Sequence, residues 1–404
     1  MAKKLKEEPK KLSPNGAMAF AKLLNKETGA EAFNKSKYTE VEHYIDTGNF
    51  ALNRIISGSI HGGLASGIVS VWGAENSVGK TLHAFLIAKN AIDKNGYQSI
   101  IYVDSEGGAN RGMLESVGID MNLVQYVPVE TVEDCAVKLI TIYKTIATYQ
   151  ETDPDFRALV ILDSLGGLVT NKVYTDADKD KQTQDMGLQS RLIGSLLRSC
   201  TMPAKKTNCG LLILSQLYDN PNEMFTQKIK NMRGGKSVWY QPSLIVQMSR
   251  RLEKGENKKE DNFYESSVIK YFTAKTRNDV RPFLETESIL DFKKGFAGNE
   301  YYGLIPVAIQ LGFIEQKGGW YIVPSYSDKQ IRLSQLLGGK EAKKIWDTFI
   351  DEFNKKSQEQ IAYKNLSNDN SEEIEEIKEE IKAKGFNLDF SKDSAELEIE
   401  EDEE

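Results

Sequence analysis

Apolar residues in this chain recur as short unbroken runs separated by stretches with helical spacing. Residues 68–72, 99–104, 157–163 and 210–216 are runs of strand length, bounded by turn or polar residues. Such runs predict buried strands. Trp239 to Met248 and Ser267 to Thr273 supply two more, with Glu253 to Asp261 as the turn between them. Between the strands, Leu82, Phe85 and Leu86 share one helical face in a segment that closes at Gly96, and residues 131–149 are helical. A further amphipathic helix is expected from Met186 to about Thr201, with Leu188, Leu192, Leu196 and Ser199 on its face. Near the start, Ala17, Phe20, Ala21, Leu23 and Leu24 predict a small helix that packs on the core or on a neighbouring subunit. Towards the end, Tyr301 to Leu311 and Glu341 to Phe353 read as helices flanking a hairpin around Gly318-Gly319. Residues 166–185 and 217–237 lose all periodicity. They are long and polar enough to predict functional loops.

One junction carries a recognisable chemistry. The strand Ile68–Trp72 runs into a turn with Gly73 and Gly79, and Lys80-Thr81 opens the next helix. Strand, glycine-bearing loop, Gly-Lys-Thr and helix form a phosphate loop. Backbone N–H groups from Ala74, Glu75, Asn76, Ser77, Val78 and Gly79 can surround clustered negative charge, and Leu82 sits in the first helical turn. Gly79 lets the backbone come close. Lys80 would reach the β- and γ-phosphates of ATP, and the Thr81 hydroxyl would ligate Mg²⁺. The loop departs from the usual form in one respect. Ala74 holds the first glycine position, and Gly73 stands one residue early.

Two later strands end in carboxylates, Asp104-Ser105-Glu106 and Asp163-Ser164. Strand ends of this kind face the ligand crevice of an open α/β sheet. Glu106 would activate the attacking water, and Asp163 would hold Mg²⁺. Each taken alone is also an ordinary polar strand end. Gln216 closes the next strand with a neutral amide able to sense a γ-phosphate.

Charge sharpens the picture. Fifteen acidic side chains and four lysines give residues 371–404 a net charge of −11, leaving +4 on residues 1–370 out of a total of −7. A basic body with an acidic tail suits a protein that handles nucleic acid, the alternative being a tail that only solubilises. Lys172, Lys179 and Lys181 lie in the first long loop, offset by Asp176, Asp178, Asp180 and Asp185. Lys228, Lys230, Arg233 and Lys236 lie in the second, with Phe225 to stack on bases and Gly234-Gly235 as a hinge. Lys275 and Arg277, two apart on an extended segment, point the same way and can clamp a phosphoryl group across a subunit boundary. Three scattered histidines and three cysteines without metal or redox spacing argue against a zinc site or a histidine triad. No stretch approaches a membrane span, and the charged N-terminus has no signal-peptide character, so a cytoplasmic protein is expected.

Taken together these segments resemble the RecA family of recombinases, most closely its phage UvsX type, over roughly residues 40–325. Residues 45–48 with Gly62-Gly63-Leu64 resemble the family's approach to the phosphate loop. Val103 to Glu106 resembles its glutamate strand, Leu162-Asp163-Ser164 its Walker B strand and Met186-Gly187-Leu188 with Arg191 the helix after its first DNA loop. Ser215-Gln216 resembles the start of its second DNA loop, and Gly312 to Tyr321 its C-terminal domain. The resemblance implies an α/β fold: a doubly wound, mostly parallel ATPase core over residues 37–297 with DNA loops at 166–185 and 217–237. A basic N-terminal arm and helix (1–36) would contact the next protomer. A small α+β domain (298–365) and an acidic, partly disordered tail (366–404) would follow. It further implies a helical homopolymer on single-stranded DNA that pairs with duplex DNA, with ATP between protomers. Lys275 and Arg277 would act on the neighbour's ATP, and Gln216 would couple the γ-phosphate to the second loop. A recombination mediator and a single-strand-binding protein are expected partners. Asn110 and Met113 stand near the expected adenine position, where bacterial members carry an acidic residue and an aromatic. A hexameric helicase of the same fold and a small-molecule kinase are the competing functions.

Overall fold

The computed structural model describes residues 14–33, 36, 38–108, 110–177, 186–218, 229–253 and 266–363. The chain opens with α1 (Pro14–Thr28), β1 (Tyr44–Ile45), α2 (Phe50–Ser57) and β2 (Leu64–Ala65). The phosphate-loop strand β3 (Val69–Ala74) leads into α3 (Lys80–Asn95). Then come β4 (Ser99–Asp104), α4 (Arg111–Val117), β5 (Val124–Pro128), α5 (Val132–Gln150) and β6 (Ala158–Asp163). After α6 (Asn171–Ala177), α7 (Met186–Thr207) and β7 (Leu211–Tyr218) follow β8 (Asn231–Met232) and α8 (Ser237–Tyr240). The strands β9 (Leu244–Glu253), β10 (Ser266–Thr276) and β11 (Glu285–Asp291) complete the main sheet.

That sheet has the order β11-β10-β9-β3-β7-β6-β4-β5, with β8 on β7. The strands from β9 to β5 are parallel, while β10 and β11 add as antiparallel edge strands. Side chains of β3 alternate between two cores. Trp72 and Ala74 join Phe85 and Ile161 on the α3 side, and Val69 and Val71 join Leu139 and Leu196 on the α5–α7 side. Burial on both faces explains the unbroken apolar runs. Because β3 is central, the loop leaving its C-terminal end emerges in the crevice where α/β sheets bind ligands. The helix that follows ends at Gly96, whose φ of 71° is the left-handed conformation glycine adopts freely.

Beyond β11, α9 (Ile305–Gln310), β12 (Glu315–Lys317), β13 (Trp320–Val323), β14 (Ser327–Ile331), α10 (Ser334–Leu337), α11 (Gly339–Trp346) and α12 (Ile350–Ile361) surround a third core of Tyr301, Trp346, Phe349 and Phe353. This core also takes in Ala51 from α2, and the named elements all fall in one compact unit ending at Ala362. The β12–β13 hairpin turns at Gly318-Gly319 as expected.

The structure corrects several element expectations. Within 166–185, residues 171–177 are helical, not loop. The Glu133 carboxylate accepts the Asn171 N–H (3.2 Å) and Glu130 accepts the Tyr174 hydroxyl (3.2 Å), so distant carboxylates hold a helix with no apolar stripe. Helix α7 continues past Thr201 with Pro203 inside it. Its buried face is Ile193, Leu196, Leu197, Cys200 and Ala204, rotated from the face expected, and this packing offsets the lost proline donor. Trp239 and Tyr240 are helical, and the strand starts at Leu244. Glu341 to Phe353 is two helices rather than one. The edge strand β11 was not expected, since Thr286 and Ser288 make its inward face polar as well. Helix α1 forms, but Met18 (63%), Phe20 (63%) and Leu23 (59%) are exposed.

Candidate nucleotide site and its connections

Between Ala74 and Lys80 the backbone turns through Ser77 (φ 59°) and Gly79 (φ 97°). No side chain caps α3, so its first N–H groups face the loop mouth. Residues 75–77 are exposed. Lys80 Nζ donates to the Ala74 and Glu75 carbonyls (3.2 and 3.1 Å) and so lies across the loop. Burial lowers its pKa, against the raising influence of Glu106 and Asp163. Uncapped donors and a partly desolvated ammonium suit a polyphosphate.

The early glycine has a structural reason. A Cβ at Gly73 would lie 2.7 Å from Leu217 Cδ2 and 3.3 Å from Met232 Sδ, so the base of the second long loop packs against the bare backbone of β3.

Asp163 Oδ2 accepts from Thr81 Oγ1 (2.6 Å) and Tyr102 OH (2.7 Å). Burial raises its pKa, opposed by those two bonds. Ser164, across a cis peptide from Asp163, donates to Glu106. Asp104 Oδ1 accepts the Glu106 and Gly107 N–H groups (both 2.9 Å), which fixes the turn carrying Glu106. No group of three or more metal-ligating side chains exists among the described residues. One hydroxyl and one carboxylate fit Mg²⁺, which takes most of its ligands from water and substrate phosphates.

Gln216 is paired in register with Ala74, beside the loop. A Cβ on Gly166 would lie 3.5 Å from both Gln216 Cδ and Arg233 Cδ, and Arg233 Nη1 donates to the Gly166 carbonyl (3.2 Å). Gly234 (φ 104°) and Gly235 (φ 71°) must lack a Cβ: added ones would lie 2.5 Å from Val238 and 3.0 Å from Ser190. The start of the first loop, the end of the second and the first turns of α7 therefore meet. Lys230 pairs with Glu75 of the phosphate loop, and Gln247 holds the Lys230 backbone at both N–H and C=O (3.0 and 2.7 Å). Lys172, Arg191, Arg233 and Lys236 are exposed. Lys179, Lys181, Phe225 and Lys228 lie outside the described residues.

Lys275 and Arg277 are elsewhere. Lys275 pairs with Ile245, which pairs with Val71, so it lies on the third strand of the set and three residues back from Ala74. That places its backbone about 14 Å from the end of β3, with the loop further on. Lys275 Nζ donates to the Trp239 and Tyr240 carbonyls (2.9 and 2.7 Å), and Arg277 Nη2 shares the Tyr240 oxygen (2.9 Å). Burial, then the neighbouring Arg277, lowers the Lys275 pKa to about 8. Asn110 caps α4, accepting from Gly112 N (2.7 Å), and Met113 packs on the core beside it.

The family pattern for the RecA N-terminal domain matches residues 18–297, well over half of the chain. The chain belongs to the RecA family. It is 25% identical over 287 residues to the recombination and repair protein of phage T4, covering 71% of this chain and 68% of that one. Over 339 residues it is 25% identical to the RecA protein of Clostridioides difficile (83% and 88% covered), and over 279 residues 27% identical to that of Chloroherpeton thalassium (69% and 71%). The mostly parallel sheet is the RecA-family core expected from the motifs.

Several groups at this RecA-family site escaped sequence reasoning: Tyr102, Ser164, Gln247 and His83. Tyr102 had a signal, as a polar tip two residues before a strand-end carboxylate. The others act through tertiary contacts that no local pattern announces. His83 is buried, and burial lowers its pKa to about 4. The unfolded chain would therefore take up a proton below pH 6.5 that the folded chain refuses until about pH 4. Stability should fall as pH falls through that window, by about 2 kcal/mol between pH 6.5 and 5. Urea unfolding of wild type and His83→Asn at pH 7 and 5 checks this. The variant should lose less stability on acidification, and equal losses would rule the assignment out.

Proposed function

We propose that this protein is a DNA-dependent ATPase and recombinase that polymerises on single-stranded DNA and exchanges strands with homologous duplex. The observation carrying this reading is the separation of Lys80 from Lys275 and Arg277. The cation pair lies two strands from β3, with Lys275 three residues back from Ala74, and in this reading a complete site takes the cradle of one protomer and the cation pair of the next. Exposed α1 supports the same reading. A groove beside the edge strand β5, lined by Ile101, Val127, Ile142, Ile146, Tyr149 and Phe156, offers an apolar seat. Its occupant would be α1 of a second copy, whose Met18, Phe20 and Leu23 lack cover in their own chain.

In this reading ATP binds at the Ala74–Thr81 loop, with Lys80 on its phosphates. Mg²⁺ held by Thr81 and Asp163 would neutralise phosphate charge. Glu106, held by Ser164, would orient and deprotonate water. The neighbour's Lys275 and Arg277 would stabilise the transferring group. Gln216 lies where the loop meets the ends of both DNA segments, so γ-phosphate contact would change how tightly Arg233, Lys236 and Arg191 grip the phosphate backbone. Base pairing would supply sequence recognition. A recombination mediator and a single-strand-binding protein would load and clear the strand.

The test is electron microscopy of the protein with a long single strand and a non-hydrolysable ATP analogue. Continuous helical filaments are expected only with nucleotide. Discrete six-membered rings would instead favour a helicase of the same fold. Indifference of DNA affinity to nucleotide would remove the recombinase reading.

A further inference from the structure

His83 lies one turn into α3, and its ring touches the phosphate loop from behind. Its Nδ1 is 2.8 Å from the Gly79 carbonyl oxygen, which also accepts the His83 backbone N–H at 2.9 Å. Its Nε2 is 2.7 Å from the Tyr271 hydroxyl, and that hydroxyl is 2.9 Å from Ser288 Oγ. A carbonyl can only accept, so Nδ1 carries the proton. In the neutral ring Nε2 is then the acceptor, Tyr271 donates to it, and Ser288 donates to Tyr271. Burial favours this neutral form. Phe296 packs edge-on against the ring from the other side at 5.5 Å.

Gly79 C=O and Lys80 N–H belong to one planar peptide. Fixing the carbonyl from behind fixes the direction of the N–H in front. That N–H is the first donor of α3, on the side where a phosphate would sit. Gly79, with φ of 97° and no Cβ, has the backbone freedom that such a lock would remove. The anchor, Tyr271, is on β10, four residues before Lys275.

We propose that His83 is a positioning residue that locks the Gly79–Lys80 peptide to β10, so that the Lys80 N–H is already aimed when a nucleotide phosphate arrives. The proposal rests on the nucleotide-site reading above. It goes further by making Tyr271 and Ser288 part of the phosphate site without touching phosphate.

Two substitutions separate the two ring nitrogens. His83→Asn keeps a donor near the Nδ1 position and loses the reach to Tyr271. His83→Gln keeps a group near Nε2 and loses the bond to Gly79. Binding of a fluorescent ADP to the full chain, with Mg²⁺, is the readout. His83→Gln should bind about 10-fold more weakly than wild type, the scale of one lost hydrogen bond. His83→Asn, still bonded to the Gly79 carbonyl but cut loose from β10, should bind about 3-fold more weakly. Tyr271→Phe, which frees the anchor with little change of volume and leaves the Gly79 bond, should match His83→Asn and tests the same link if a polar substitution fails to fold. Equal affinities for all three variants, whether all wild-type or all weakened alike, would overturn the proposal. A wild-type chain that does not bind ADP would instead overturn the site reading.

Discussion

Replacing Lys80 with alanine should lower DNA-stimulated ATP turnover by roughly two to three orders of magnitude. The side chain sits across the mouth of the loop, bonded to the Ala74 and Glu75 carbonyls. A triphosphate offers it far better acceptors, so the interaction grows as charge develops on the transferring group. Lys230, also near the loop, is paired with Glu75 and has its backbone held by Gln247, so it is poorly placed to substitute. The lost bonds are to the loop's own carbonyls, so the unfolding midpoint should barely move. A variant that turns over ATP at the wild-type rate would refute the assignment of this loop. Lys80→Arg should recover only part of the activity, because a planar fork cannot reproduce a compact ammonium.

A mixture should succeed where its components fail. Lys80→Ala and Arg277→Ala, each nearly inactive alone, should regain about a quarter of wild-type turnover when mixed in equal amounts. In a randomly mixed polymer that is the fraction of seams with an intact cradle on one side and an intact cation pair on the other. The prediction rests on the proposed shared seam, and the strand register supports it. Lys275 pairs through Ile245 with Val71, two strands away and three residues back along β3 from Ala74. Were Arg277 to act within its own chain, no mixing ratio would restore activity. Steady-state ATPase assays on a series of ratios would decide it, with activity peaking near equal amounts.

The core of the fold was legible because its strands are buried on both sides. Ile68 to Trp72, Leu159 to Leu162 and Leu211 to Leu214 have no solvent-facing positions to confuse with loop, and Gly96 marks a helix end by its own chemistry. What stayed hidden was held by distant partners. Helix α6 has no apolar stripe, and Glu130 and Glu133 hold it from another helix start. Pro203 reads as a stop, yet Cys200 and Ala204 are buried on either side of it. At the site, the residue types that would touch phosphate were expected from spacing. The residues behind them were not. Tyr102 and Ser164 hold Asp163 and Glu106, and these contacts join strands far apart in the chain. Gly73 looked like a misplaced loop residue. Its role became clear only once Leu217 and Met232 were seen against it.

A reaction centre split between neighbours, as proposed, would give any row of such molecules a direction. In the proposed assembly each junction would burn fuel, but the terminal subunit whose cradle faced open solution would have no neighbour to complete it. That subunit would keep its triphosphate, and its hold on the strand, longer than every subunit behind it. Disassembly would then start from the opposite tip, and a growing row would carry its own protective cap.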